Sequence, residues 1–235
     1  SFTQYINSLS TRDKQLICGV QLYAQPYEVL QKISKLPENS SVLLVSDGSQ
    51  KGTGITYGWV FGSDKNEIYA EHSGEGYGEA TSHRAEGFGM LSGLLFLHLL
   101  CRYINVNGTD WPFSVPLLCF SDNQGLVTRI TQRRHYQEPY PNATLAPDWD
   151  LLEQIHQMLT SLPASDVEVE WVKGHQDDDN ADLSTAAIYN IRADKLAGQV
   201  ATSQHPASIH EHPPLLPAEK CRLTINGVII QSHYT

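Results

Sequence analysis

Two apolar runs of this chain break off at the same polar pair. Residues 42–45 pass into Ser46-Asp47-Gly48-Ser49, and residues 115–120, with Pro116 near their start, pass into Ser121-Asp122-Asn123. Short continuous apolar runs bounded by turn-forming residues predict buried strands. An acid at each strand end is then held at the rim of a core. Two further acids lie on predicted helices: Glu86 in Arg84-Ala85-Glu86, at the start of an apolar helix, and Asp194 in Asn190-Ile191-Arg192-Ala193-Asp194, on a late one. Carboxylates gathered without matching Lys or Arg repel one another, and they persist in a fold mainly where divalent cations hold them.

The rest of the chain predicts a sheet for those strands. Residues 41–46, 56–62 and 67–73 read as three strands of an antiparallel meander, joined by glycine-rich turns at 50–54 and 62–66. A helix follows over 81–103, whose Leu91, Leu94, Leu95 and Leu97 need a sheet beneath them. The fourth strand, 115–120, leads through Asp122 into a helix ending near His135, and a Pro-rich stretch precedes a helix over 148–162. In the fifth strand, 167–172, Val167, Val169 and Trp171 alternate with Glu168 and Glu170, as on a half-exposed edge. A polar loop over 175–182 and a helix over 184–202 complete an α/β domain: a five-stranded mixed sheet flanked by helices, spanning 41–202. Residues 1–40 read as a helical extension with helices at 11–17 and 26–36, 203–219 as a Pro- and His-rich linker, and 220–235 as a hairpin extension turning at Asn226-Gly227.

With 235 residues and 40% apolar content, the chain can bury one core of moderate size. Its longest apolar stretch, 90–100, contains Ser92, Gly93 and His98 and is shorter than a bilayer span, so no membrane partner is expected. Cys18, Cys101, Cys119 and Cys221 lack metal-like spacing and read as free thiols of a reducing, intracellular compartment, cytoplasm or nucleus. The first residue is Ser, consistent with a processed N-terminus. Asn-x-Ser/Thr triplets at Asn39, Asn107 and Asn142 are of a kind that arises by chance.

The net charge of −10 opposes autonomous binding of nucleic acid, whose grip depends on cations. Two divalent ions on the four carboxylates would leave about −6, still a mismatch. Arg129, Arg133, Arg134 and His135 could offer a phosphate-facing patch, and a plain solvated helix face is the competing reading. Asp177, Asp178 and Asp179 read as a solvated run, and His205, His210 and His212 as linker rather than a zinc set, because no fourth ligand accompanies them.

The order of motifs carries more than any one of them. A strand with Asp-Gly-Ser, a meander, a helix with Arg-Ala-Glu, a strand with Ser-Asp-Asn-Gln, a strand with Trp-Val-Lys-Gly-His and a helix with Asn-Ile-Arg-Ala-Asp together resemble ribonuclease H of the type fused to retroelement reverse transcriptases. The resemblance implies an RNase H-like fold over 41–202. It also implies an endonuclease that hydrolyses the RNA strand of RNA–DNA hybrids and leaves a 3′-hydroxyl and a 5′-phosphate, with a linked reverse transcriptase domain as partner. Asp47, Glu86, Asp122 and Asp194 match the family's metal-binding carboxylates, and the implied cofactor is two Mg2+ ions, with Mn2+ as a substitute. His175 matches a mobile-loop histidine that assists proton movement or product departure. Ser49, Gln124 and Asn190 match positions that contact the hybrid's backbone or minor groove. The nineteen positions from His175 to Asp194 exceed the spacing of compact members, so this loop carries an insertion.

Other readings compete residue by residue. Alone, Asp47-Gly48-Ser49 would be a turn. Glu75 and Glu79 rival Glu86 but lie in a glycine-rich loop, and Asp182 rivals Asp194 without its helical context. A four-carboxylate 3′-5′ exonuclease would carry a second acid two positions after the first, where this chain has Ser49. A domain that binds nucleic acid or a partner without cleaving is the rival from another class.

Overall fold

The run 42–45 forms a strand buried on both faces. Val42 and Leu44 join the larger apolar cluster, Leu43 and Val45 a smaller one across the sheet. In a computed structural model of the chain, the described residues are 1–104, 115–136, 147–162, 167–176 and 182–203, followed by 215–216, 219–220, 222, 224–225 and 228–229. The candidate sites at Asn107, Asn142, Asp177, Asp178, Asp179, His205, His210, His212 and Cys221 lie outside them.

The elements run α1 (Phe2–Ser8), α2 (Thr11–Lys14), β1 (Gln21–Leu22), α3 (Pro26–Ile33), β2 (Val42–Lys51), β3 (Gly54–Ser63), β4 (Ile68–Glu75), α4 (Ser82–Ile104), β5 (Leu117–Ser121), α5 (Gln124–Arg134), α6 (Trp149–Ser161), β6 (Val167–Trp171), α7 (Thr185–Ser203), β7 (Thr224–Ile225) and β8 (Val228–Ile229). β2, β3 and β4 form the expected antiparallel meander, and β5 and β6 add in parallel to β2. This order of elements around a mixed sheet makes the architecture α/β and RNase H-like, as the motif order implies.

Among the described residues the sheet has six strands rather than five, in the order β1-β4-β3-β2-β5-β6. The additional one, β1, pairs Gln21 with Glu71 and Leu22 with Ala70. Two residues are too few to show a period of two, which is why the sequence pattern misses it. α1 was not separately expected either. It is closed by Ser1, whose side chain accepts the Gln4 N–H in a capping box.

Residues before β2 are integral to the core. Phe2, Ile6, Leu16, Ile17, Val29 and Ile33 belong to the larger cluster with Trp59, Phe61 and Phe96. The Leu16 carbonyl accepts from Tyr57 Oη at 3.0 Å and from Ser92 Oγ at 2.6 Å, while Trp59 Nε1 donates to Ser92 at 2.8 Å. This polar knot fixes the N-terminal segment to β3 and α4.

α4 is long and apolar enough to cross a bilayer by length and composition, yet it is buried within the protein. It packs on β2 and β3 on one side and α6 on the other, so nearly its whole circumference is apolar. α7 covers the opposite face of β2 and β3. At the far end of the described residues, β7 and β8 pair antiparallel, with Thr224 opposite Ile229 and Ile225 opposite Val228.

Candidate active site

The parallel pairing of β2 with β5 ends at Ser46 opposite Ser121, and that of β5 with β6 at Ser121 opposite Trp171. Asp47 and Asp122 each stand one residue past this row, on strands about 4.8 Å apart. The sequence places Asp47 at the end of its strand. In the structure β2 continues to Lys51, paired only with β3. What ends at Asp47 is the parallel half of its pairing, and that parting of β2 from β5 opens the space for carboxylates.

Glu86 arrives from α4, across the face of the sheet. A Cβ on Gly48 would lie 2.3 Å from Glu86 N, so the helix backbone rests directly on this glycine. The Gly48 N–H donates to Asp47 Oδ1 at 2.7 Å and to Glu86 Oε1 at 3.0 Å, and Ser121 Oγ donates to Glu86 Oε2 at 3.0 Å. Carboxylate oxygens of Asp47, Glu86 and Asp122 all lie within 4.8 Å of one another. Asp47 and Glu86 are 6% and 4% exposed, and among the described residues no salt bridge reaches any of the three.

Crowding and burial raise the proton affinity of this cluster. Burial pushes the Asp47 carboxyl up to about 7, the charges of Asp122 and Asp194 add to the rise, and hydrogen bonds from Glu86 and the Gly48 amide oppose it. Glu86 is raised well above the usual carboxylate range by burial and then by the charges of Asp47 and Asp122. Burial also raises Asp122, against a hydrogen bond from Glu86 and the nearby charge of His175. Buried hard-oxygen donors lacking a cationic partner are a donor set that fits a divalent ion such as Mg2+.

The other expected residues divide. Asp194 is exposed on α7 and outside the close trio, yet near enough for its charge to raise both aspartates. His175 is exposed, with φ of 49°, in a loop that lies against Asp122: a Cβ on the preceding Gly174 would be 2.2 Å from Asp122 Oδ2. Ser49 is half-buried in β2, and Gln124 is exposed as the first residue of α5. Asn190 is a buried residue of α7, and its Nδ2 has no hydrogen-bond partner.

Sequence reasoning passes over several residues that build the site. Ser121 holds Glu86 and also accepts the Asn123 N–H at 3.1 Å. Its signal was present in the repeated Ser-Asp pair. Trp171 Nε1 donates to the Asp122 carbonyl at 2.9 Å. Arg84, fully buried, donates to Asp148 Oδ1 at 3.0 Å, to both Asp150 oxygens at 2.9 and 3.0 Å, and to the Tyr77 carbonyl at 2.7 Å. It ties the first turn of α4 to that of α6, two residues before Glu86. His83 Nδ1 lies 3.2 Å from Asp148 Oδ2 in the same cluster.

Arg133, one of the cations considered for a phosphate patch, is buried and paired with Glu153. Arg134 donates to the Val167 carbonyl at 2.8 Å, and Arg129 to that of Pro147. These cations brace α5 against β6, α6 and the approach to α6.

No protein-family model and no curated protein sequence matches the chain. Among solved structures it is similar to RNase H1 of the halophilic archaeon Halobacterium salinarum, at 19% identity over 70% of this chain and 99% of that one, with a TM-score of 0.45. It is similar to LC11-RNase H1, solved in complex with an RNA/DNA hybrid, at 16% identity over 69% and 99% of the two chains, TM-score 0.47. It is also similar to the prototype foamy virus protease-reverse transcriptase, at 18% identity over 73% of this chain and 22% of that one, TM-score 0.48. At these identities the likeness is one of fold.

Proposed function

We propose that this chain is a Mg2+-dependent endonuclease that hydrolyses the RNA strand of RNA–DNA hybrids, as the ribonuclease H domain of a retroelement polyprotein. The observation that carries the proposal is the convergence of Asp47, Glu86 and Asp122 to within 4.8 Å from three separate elements. Uncompensated acids in so small a volume are unfavourable for the fold alone. They make sense as a seat for cations.

Asp47, Glu86 and Asp122 would hold the metal, with Asp194 joining from α7. Bound there, Mg2+ would supply charge neutralisation and an activated water for displacement at phosphorus. The chain's own residues set up that chemistry. Gly48 N–H and Ser121 Oγ orient Glu86, the parting of β2 from β5 fixes the aspartate spacing, and His175 stands beside Asp122 where a proton could be handed on. Recognition of RNA would come from the 2′-hydroxyl and helix shape. A linked polymerase domain would hold the hybrid and offset the acidic balance of the chain.

The test is cleavage of an end-labelled RNA–DNA hybrid in Mg2+ beside an Asp122→Asn variant. The parent should cut only the RNA strand, at internal positions, and Asp122→Asn should lose about a thousandfold or more in rate. Equal cleavage by both proteins would remove the metal-site reading. Release of single nucleotides from a 3′ end would favour an exonuclease instead.

A further inference from the structure

We infer that Trp171 is a nucleic-acid contact of this site, its indole face serving as a preset platform for the sugar and base of a nucleotide beside the carboxylates. The inference rests on the proposed nuclease function and names one way in which the site grips its strand.

The geometry is specific. Trp171 ends β6, the edge strand, in the row with Ser46 and Ser121 that immediately precedes Asp47 and Asp122. Strand spacing of about 4.8 Å puts its backbone one strand away from Asp122, within about the reach of one nucleotide. Its only polar atom is already engaged, since Nε1 donates to the Asp122 carbonyl at 2.9 Å. That bond fixes the ring, while among the described residues no further strand pairs with the side of β6 away from β5, and Trp171 is 49% exposed. Tyr23, Tyr27 and Tyr136 are the other large exposed hydrophobic side chains among the described residues, and Tyr23 bonds to Glu71 and Arg192 instead.

Charge favours such a contact. The two Arg residues on the elements around the site that the structure buries, Arg84 and Arg133, are spent on Asp148, Asp150 and Glu153. Glu168 and Glu170 lie exposed on the strand that carries Trp171. Phosphate contacts are therefore costly to arrange on this flank, whereas stacking on an ordered ring needs no cation and contributes about 1–3 kcal/mol per nucleotide. An immobile ring also loses little entropy when a ligand settles on it.

The test measures binding of a fluorescent RNA–DNA hybrid by anisotropy, with Ca2+ in place of Mg2+ to suppress turnover, for the parent, Trp171→Phe and Trp171→Leu. Thermal melts check that each is folded. Phe keeps a ring and loses the N–H; Leu loses both. Trp171→Phe should bind within about threefold of the parent, and Trp171→Leu about tenfold to a hundredfold more weakly. The deficit should be equal at about 50 and about 200 mM salt, because no counterion is released by a ring. Hydroxyl-radical oxidation of Trp171 should fall several-fold when the hybrid is bound.

Equal losses for Phe and Leu would overturn the inference and leave Trp171 as a brace for Asp122 alone. Binding by Trp171→Leu equal to the parent, with unchanged oxidation, would overturn it while the nuclease reading stands. A folded parent that binds no hybrid would overturn this inference, whereas the nuclease reading falls only if that parent also fails to cleave the hybrid in Mg2+, so the cleavage assay distinguishes the two cases.

Discussion

Asp47 and Glu86 illustrate how a functional residue can work against its own fold. Each is buried, which raises the cost of ionising it, and the charge of Asp47 raises that cost further for Glu86, while a hydrogen bond from Glu86 eases the ionisation of Asp47. In a chelator the cluster should weaken the protein as it loses protons, so Asp47→Asn should raise the thermal midpoint by about 2–4 °C, the shift that about 1 kcal/mol produces in a domain of this size. Mg2+ should raise the midpoint of the parent and leave that of Asp47→Asn unmoved. Calorimetry with and without the ion checks both, and a variant that loses stability in chelator would show that the Gly48 amide bond to Asp47 outweighs the repulsion. At this scale Asp47, Glu86 and Asp122 were legible because each sits in a short motif. The bonds that Ser121 and Trp171 make were not, because their partners are a side chain 35 positions away and a backbone carbonyl 49 positions away.

Elements were legible where a period could establish itself. β5, α5, α6, β6 and α7 lie within two residues of their expected bounds, each long enough to show alternation or a helical stripe. β1 was missed, and its attachment depends on single contacts. His72 on β4 is buried between the rings of Tyr57 and Trp59, and burial pushes it down to about 4 despite hydrogen bonds to the backbone of Leu16 and Gly19. A histidine lowered in the folded state contributes stability above its unfolded value near 6.5, and that contribution is lost as pH falls from there through about 4. The N-terminal segment should thus become sensitive to limited proteolysis between about pH 6 and pH 4. His72→Gln should flatten that dependence, and an unchanged pH profile in the variant would assign the loss to other groups.

For the molecule as a whole, residues near 215–222 return to the N-terminal helices. Leu216 is fully buried in the main cluster, its carbonyl accepts from Arg12 Nε at 2.9 Å, and Gln15 Nε2 donates to the Leu215 carbonyl at 2.7 Å. Arg222 Nη2 donates to Tyr77 Oη at 2.9 Å, on the loop whose carbonyl holds Arg84. Leu216→Ala should therefore cost about 2–5 kcal/mol in chemical denaturation, as a core truncation does. A cost under about 0.5 kcal/mol would mark the segment as a loose appendage. The sequence by itself determined the kinds and order of the elements and which acids lie at their ends, because strand and helix periods and turn residues are local properties. Only the tertiary structure decided that three of those acids meet, that Arg84 and Arg133 face inward to carboxylates, and that the terminal segments close over one another. Those outcomes depend on which backbones can approach, as α4 does on Gly48, and on which buried charges find partners, and neither is encoded in any single stretch of chain.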